Sequence, residues 1–197
     1  MNAVEFVRLC RRVREELGQE HRYAHVVRVA RLAGRLARAH GEDAAAARVA
    51  GMLHDLARLY AAERLLEECR ARGMTIDRFE RVHPIVLHAR LGAELARERY
   101  GIDDERILSA IRAHTLGAPS MSRLDTIVYL ADGLEPGRDF PERERLERLA
   151  LEDLEAAMRA TLRSTIAYLA ARGLAVAPAT TAAIEHFART EEEKQTA

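Results

Sequence analysis

The chain is predicted to fold as one compact all-α bundle, on three observations. Alanine, leucine, arginine and glutamate dominate the sequence, aromatics make up 5% and tryptophan is absent, a profile of helical rather than β proteins. Apolar residues recur at helical period in nearly every segment. Glycines and capping residues then punctuate those segments where helices should stop and start. At 197 residues the chain is one ordinary domain, long enough to bury a core.

Each element follows from such signals. Residues 3–17 form a first helix stopped by Gly18, and 21–40 a second that ends at Gly41. Asp43 is the N-cap of a third over 43–55. A fourth over 61–72 is closed by Gly73, and a fifth over 84–99 carries Pro84 in its first turn. Further helices are expected over 103–114, 122–132, 145–172 and 178–190, with 133–141 as the most turn-rich loop. With neither repeat nor linker, 1–190 is a single domain and 191–197 a frayed tail.

Composition excludes some functions. The charge balances at 31 basic against 31 acidic residues, so no global field favours nucleic acid or a membrane surface. No segment has the roughly 18 uninterrupted apolar residues of a membrane span. The first 17 residues carry charges throughout and read as a helix, not a leader. Two distant cysteines, Cys10 and Cys69, argue against a disulfide framework or a thiolate zinc site and fit a reducing cytoplasm. A homodimer through an apolar helix face is the expected self-association, with the long 145–172 helix as its candidate.

Five ionisable residues sit on apolar rows. His25 continues Val29, Leu32 and Leu36; His88 continues Leu91 and Leu95; His114 ends the row of Ile107 and Ile111. Asp132 lies four beyond Val128, and His54 four beyond Ala50 with Asp55 beside it. Residues at these spacings share a helix face. A lone histidine on such a stripe is more often a hydrogen-bonded core residue than a ligand, and Asp132 alone could be a helix-end residue. Five expected helices each turning one inward is different, because buried imidazoles and carboxylates are costly unless paired, hydrogen-bonded or metal-bound. One shared polar centre resolves all of them. His21, His40, His83 and His186 are read as structural, His40 as a helix-end residue and His83 as shaping the turn before Pro84.

The pattern His25…His54-Asp55…Asp132, with His88 and His114 between, resembles the signature of the HD-domain metal-dependent phosphohydrolases. The strings RYAH (22–25), AGMLHDLAR (50–58), LHARLGA (87–93), AIRAHTLG (110–117) and YLADGLEPGRDF (129–140) are more narrowly similar to the symmetrical diadenosine tetraphosphate hydrolases of that superfamily. The resemblance implies an HD-domain bundle with its metal site in the core, iron as the metal, and cleavage of the dinucleotide to two ADP. It also implies that Arg22, Arg58, His88, His114, Thr115 and Arg138 line the nucleotide site. Leu87, Arg90, Leu116, Ala118, Thr126 and Gly133 depart from that family's pattern, and are expected to thin out basic and aromatic groups near the nucleotide.

The residues themselves support this chemistry. Imidazole and carboxylate without thiolate suit iron, manganese, cobalt, nickel or zinc. His25, His54, Asp55 and Asp132 are assigned to one metal, leaving positions open for water and phosphate. His88 and His114 admit two roles: a second, conditional metal bridged by Asp55, or direct contact with phosphate. His54 and Asp55 are the residues on which catalysis by metal-activated water is expected to rest. Arg22, Arg58 and Arg138 are candidates to neutralise phosphate oxygens. Two alternatives share the core: a phosphohydrolase of mononucleotides or cyclic nucleotides, and a non-catalytic nucleotide sensor that keeps the metal.

Overall fold

A computed structural model describes residues 2–196 of the chain, and side chains over 2–189. Over 191–196, expected as a frayed tail, the backbone is helical, and the side chains there lie outside that description. Among the described residues there are helices and no strands. The chain is all-α, as predicted.

Two terminal helices, α1 (Ala3–Leu17) and α2 (Glu20–Ala39), open the fold. Asn2 and Glu5 cap α1 reciprocally, and Gly18 ends it in the left-handed region at φ 61°. Next, α3 (Ala44–Leu53) starts on the Asp43 side chain, which accepts the N–H groups of Ala45 and Ala46. Alanines and glycines let α2 and α3 lie nearly in backbone contact. A Cβ on Gly51 would stand 2.8 Å from the Ala30 Cα. That proximity brings residue 25 on α2 next to residue 54 at the end of α3.

After α4 (Ala62–Ala71) come a short α5 (Arg78–Val82) and a 3-10 turn (Pro84–Val86), then α6 (Leu87–Tyr100). The sequence reading had no α5. It forms because Asp77 and Glu80 make a capping box over only five residues, too few to show a period. It also began a helix at Pro84, where the structure has a 3-10 turn and starts the α-helix at Leu87. Gly92 lets α6 approach the end of α3, since a Cβ there would lie 3.2 Å from the His54 carbonyl oxygen.

Asp104 caps α7 (Glu105–Ala113), and Ser122 with Asp125 caps α8 (Arg123–Leu134). α8 packs against α2, α3 and α7, and runs past the expected end at 132 to include Gly133 and Leu134. The expected helix over 145–172 is two helices, α9 (Arg143–Glu152) and α10 (Leu154–Ala171). Asp153 breaks it: its backbone is extended, at φ −140° and ψ 103°, and its side chain accepts the Ala156 N–H to cap α10. The segment expected as a candidate for self-association is thus two helices rather than one. α11 (Pro178–Thr196) closes the chain against α10, and the Thr180 hydroxyl donates to the Leu116 carbonyl at 2.9 Å. No helix of the described residues is long and apolar enough to cross a membrane.

The α2–α3 contact sets the position of everything beyond it. Gly51→Ala is expected to lower unfolding free energy by about 1–3 kcal/mol through overpacking against Ala30. Its urea midpoint against the parent protein checks this, an unchanged midpoint meaning that the helices part without cost.

Candidate metal centre

All six expected polar residues meet at one end of the α2–α3 pair. His25, His54, Asp55, His88 and His114 are buried, and Asp132 is 20% exposed at its side chain. They come from α2, the end of α3 and the turn after it, α6, the end of α7, and α8. His54 and His114 each follow the last residue of their helix, so their rings turn inward while the backbone leaves.

Hydrogen bonding at Nδ1 orients every ring. His54 Nδ1 lies 2.8 Å from the Gly51 carbonyl oxygen, His88 Nδ1 2.5 Å from that of Ile85, and His114 Nδ1 2.7 Å from that of Ile111. In each case the acceptor is the carbonyl three residues earlier, which can only accept, so Nδ1 carries the proton. His25 differs: its Nδ1–H donates to the Glu135 carboxylate at 3.1 Å. In the neutral ring Nε2 is then a lone pair, and all four face the centre.

Those lone pairs confront anions. His25 Nε2 lies 3.1 Å from Asp132 Oδ1 and 3.6 Å from Asp55 Oδ2; His54 Nε2 lies 3.5 Å from Asp55 Oδ2 and 3.7 Å from Asp132 Oδ1. Neither Nε2 has a hydrogen-bond partner among the described residues. Ligands bound at about 2.0–2.2 Å stand roughly 3–3.5 Å from their neighbours around the ion, so this donor set fits a cation. The other oxygen of Asp55, Oδ1, faces His88 Nε2 at 3.4 Å and His114 Nε2 at 3.9 Å. Those two Nε2 atoms are 3.1 Å apart, with the Thr115 hydroxyl 2.9 Å from one and 3.2 Å from the other. One hydroxyl proton satisfies one lone pair, so the second trio also suits a cation.

The protonation states favour ligation. Burial, reinforced by His54 and His88, lowers His114 to about 3 and keeps its imidazole neutral. Burial alone would raise both carboxyls. Both are nevertheless lowered below the usual carboxylate range, Asp55 by the positive charge that the neighbouring imidazoles carry when protonated, and Asp132 by the same charge together with Arg138.

A cavity of about 360 Å³ opens over this cluster. Arg22, Arg58, His88, His114, Thr115 and Arg138, the six expected substrate contacts, all line it. Arg22 pairs with Asp55 at 2.8 Å and Arg138 with Asp132 at 2.5 Å. Arg58 makes no ion pair among the described residues, leaving its guanidinium free toward the cavity. Of the six departures from the family pattern, only Gly133 lines this cavity. Leu87 is core, Arg90 pairs with Glu80, and the Thr126 hydroxyl donates to the Ser122 carbonyl. His40 and His83 are structural, His40 bonded through Nε2 to the Ala150 carbonyl and His83 packed on Phe79.

Sequence reasoning missed Glu135. It is buried, accepts from His25, from the Gly137 N–H at 2.6 Å and from both Nε and Nη2 of Arg28. Burial alone would raise its carboxyl, but the bonds from Arg28, Gly137 and His25 prevail and hold it at about 2. Arg28 lies so close to Gly137 that a Cβ there would collide with the guanidinium. A signal was present: Glu135 lies three beyond Asp132 and seven beyond Val128, on the same helical row.

Comparison with known proteins agrees with this geometry. The family model for the HD domain matches residues 22–137. The chain is 35% identical over 161 residues to a symmetrical bis(5'-nucleosyl)-tetraphosphatase of Bacillus subtilis, covering 82% of this chain and 86% of that one. It is 37% identical over 163 residues to a protein of the same name from Halalkalibacterium halodurans, covering 83% and 87%. A crystal structure from Clostridium acetobutylicum, of a predicted HD superfamily hydrolase involved in NAD metabolism, superposes with a TM-score of 0.89 at 34% identity, covering 94% of this chain and 97% of that one.

The Glu135–His25 bond yields a prediction. Glu135→Gln is expected to weaken metal retention about 10–100-fold, by loosening the tautomer and orientation of His25. Competition with a chelator of known affinity measures it; unaltered affinity would mean that Glu135 serves only Arg28 and the loop.

Proposed function

The chain belongs to the HD-domain family, and from that premise we propose that it is a metal-dependent hydrolase that splits diadenosine tetraphosphate symmetrically into two molecules of ADP. The reading is carried by one observation: imidazole and carboxylate donors surround a gap of cation size at the floor of a cavity lined by three arginines. The names of the two tetraphosphatase relatives supply the substrate class.

His25, His54, Asp55 and Asp132 would hold the first metal, with iron the assignment and manganese, cobalt, nickel or zinc compatible with the same donors. His88 and His114, with Asp55 shared, would hold a second. When bound, a divalent cation there supplies Lewis-acid polarisation of phosphoryl oxygen and lowers the pKa of water. The remaining work belongs to the side chains. Arg58 is unpaired and binds phosphate oxygens, while Arg22 and Arg138 keep guanidinium charge at the cavity wall beside Asp55 and Asp132. Thr115 and the paired histidines offer hydrogen bonds to the chain of phosphates. Asp55 contributes one oxygen to each half of the site and so fixes their spacing. The bond broken is a phosphoanhydride P–O bond at the middle of the chain, with the oxygen of water added to one phosphorus. The two cysteines are free, and the enzyme is assigned to the reducing cytoplasm where its nucleotides occur.

Anion-exchange analysis of products after incubation of metal-loaded protein with diadenosine tetraphosphate tests this. ADP as sole product is expected, reduced at least about 100-fold in Asp55→Ala and in His54→Ala. AMP with ATP would mean asymmetric cleavage and overturn the assignment. Turnover of mononucleotides or cyclic nucleotides instead would move the chain elsewhere in its family. Arg58→Ala is expected to raise KM more than it lowers kcat; a loss in kcat alone would place Arg58 in the reacting step rather than in binding.

A further inference from the structure

The cavity over the cluster is chemically divided. Arg22 and Arg58 stand on its α2–α3 side, and Arg138 follows α8. The wall where α10 packs on α8 carries Tyr129, Thr161 and Thr165, hydroxyl groups without a formal charge. α10 begins at Leu154, beyond residue 137 where the HD-domain match ends.

Thr161 is the anomaly in this wall. It is 8% exposed, and its Oγ1 is buried with no hydrogen-bond partner among the described residues. A threonine within a helix ordinarily donates to the carbonyl one turn back. Thr126 does so to Ser122 at 3.0 Å, and the buried Thr180 finds the Leu116 carbonyl at 2.9 Å. The Ala157 carbonyl stands four residues before Thr161 on the same helix, yet the hydroxyl does not use it. One turn further along α10, Thr165 lines the same wall as Tyr129. Buried polar groups are nearly always satisfied, and an exception in a cavity wall asks for a ligand.

We propose that the α10 wall, Thr161 and Thr165 with Tyr129, is the subsite for the neutral nucleoside half of the substrate, while the arginines take its phosphates. This rests on the nucleotide-hydrolase reading above. A hydroxyl is both donor and acceptor, matching ribose hydroxyls and base edges. The tyrosine ring adds an apolar surface for the sugar or base. A wall without cations gives no reason for a phosphate to settle there. Two of the three groups of this subsite, Thr161 and Thr165, thus come from a helix outside the matched HD segment, and the metal chemistry from within it.

Calorimetric binding of ADP and of inorganic pyrophosphate to the metal-loaded protein separates the two halves of the site. Thr161→Val should weaken ADP about 5–10-fold and leave pyrophosphate unchanged, and Thr161→Ser should restore ADP binding. ADP affinity unchanged in the valine variant, or ADP and pyrophosphate weakened together, would overturn the subsite, as would a parent protein that does not bind ADP. Should the valine variant fail to fold, Thr161→Ala gives the same comparison. Neither ligand requires turnover. A protein that binds ADP through Thr161 but leaves diadenosine tetraphosphate intact would refute the hydrolase reading while sustaining the subsite.

Discussion

The rest of the structure depends on desolvation at the centre of the bundle. Four imidazoles and two carboxylates are drawn from water into an alanine- and leucine-rich core, where an unpaired polar group is expensive. Their mutual arrangement does not cancel that cost, because lone pairs face carboxylate oxygens and one another. A cation between them does. The same arrangement therefore explains both why the residues converge and what they converge on.

Backbone register makes the arrangement rigid. Three histidines fix their tautomer with a carbonyl three residues earlier. For His54 and His114 that carbonyl lies in the last turn of a helix, where acceptors lack helical partners, and for His88 it belongs to the 3-10 turn that precedes α6. His54 and His114 occupy the positions just past their helices, and His88 the first turn of α6. His25 is mid-helix, where backbone carbonyls are already engaged, and it needs a carboxylate from another element instead. Glu135 supplies it, and Arg28 supplies the charge that keeps Glu135 ionised in its burial. The small residues along α2 and α3 make the distances short enough for the pieces to act as one site.

Most of the fold and of the buried polar cluster were legible because the signals are local and periodic. His25, His88 and His114 extend apolar rows, and an ionisable group on such a row must point inward. Caps at Asp43 and Gly18 are likewise written within three or four residues. The break at Asp153 was not legible, since Ala, Leu, Arg and Glu on both sides carry the helical pattern straight through it. α5 was too short to have a period. Glu135 was missed for a different reason: it follows an acidic ligand by three and reads as part of a turn, and its partner Arg28 is 107 residues distant. Thr161 leaves no trace in sequence at all, because an unsatisfied hydroxyl is defined by neighbours that only folding assembles.

Anomalous diffraction from crystals of the metal-loaded protein, collected at the absorption edge of the bound ion, tests the central claim most directly. The account predicts a peak within bonding distance of His25 Nε2, His54 Nε2, Asp55 Oδ2 and Asp132 Oδ1. Metal found only elsewhere, or bound through Cys69, would contradict it.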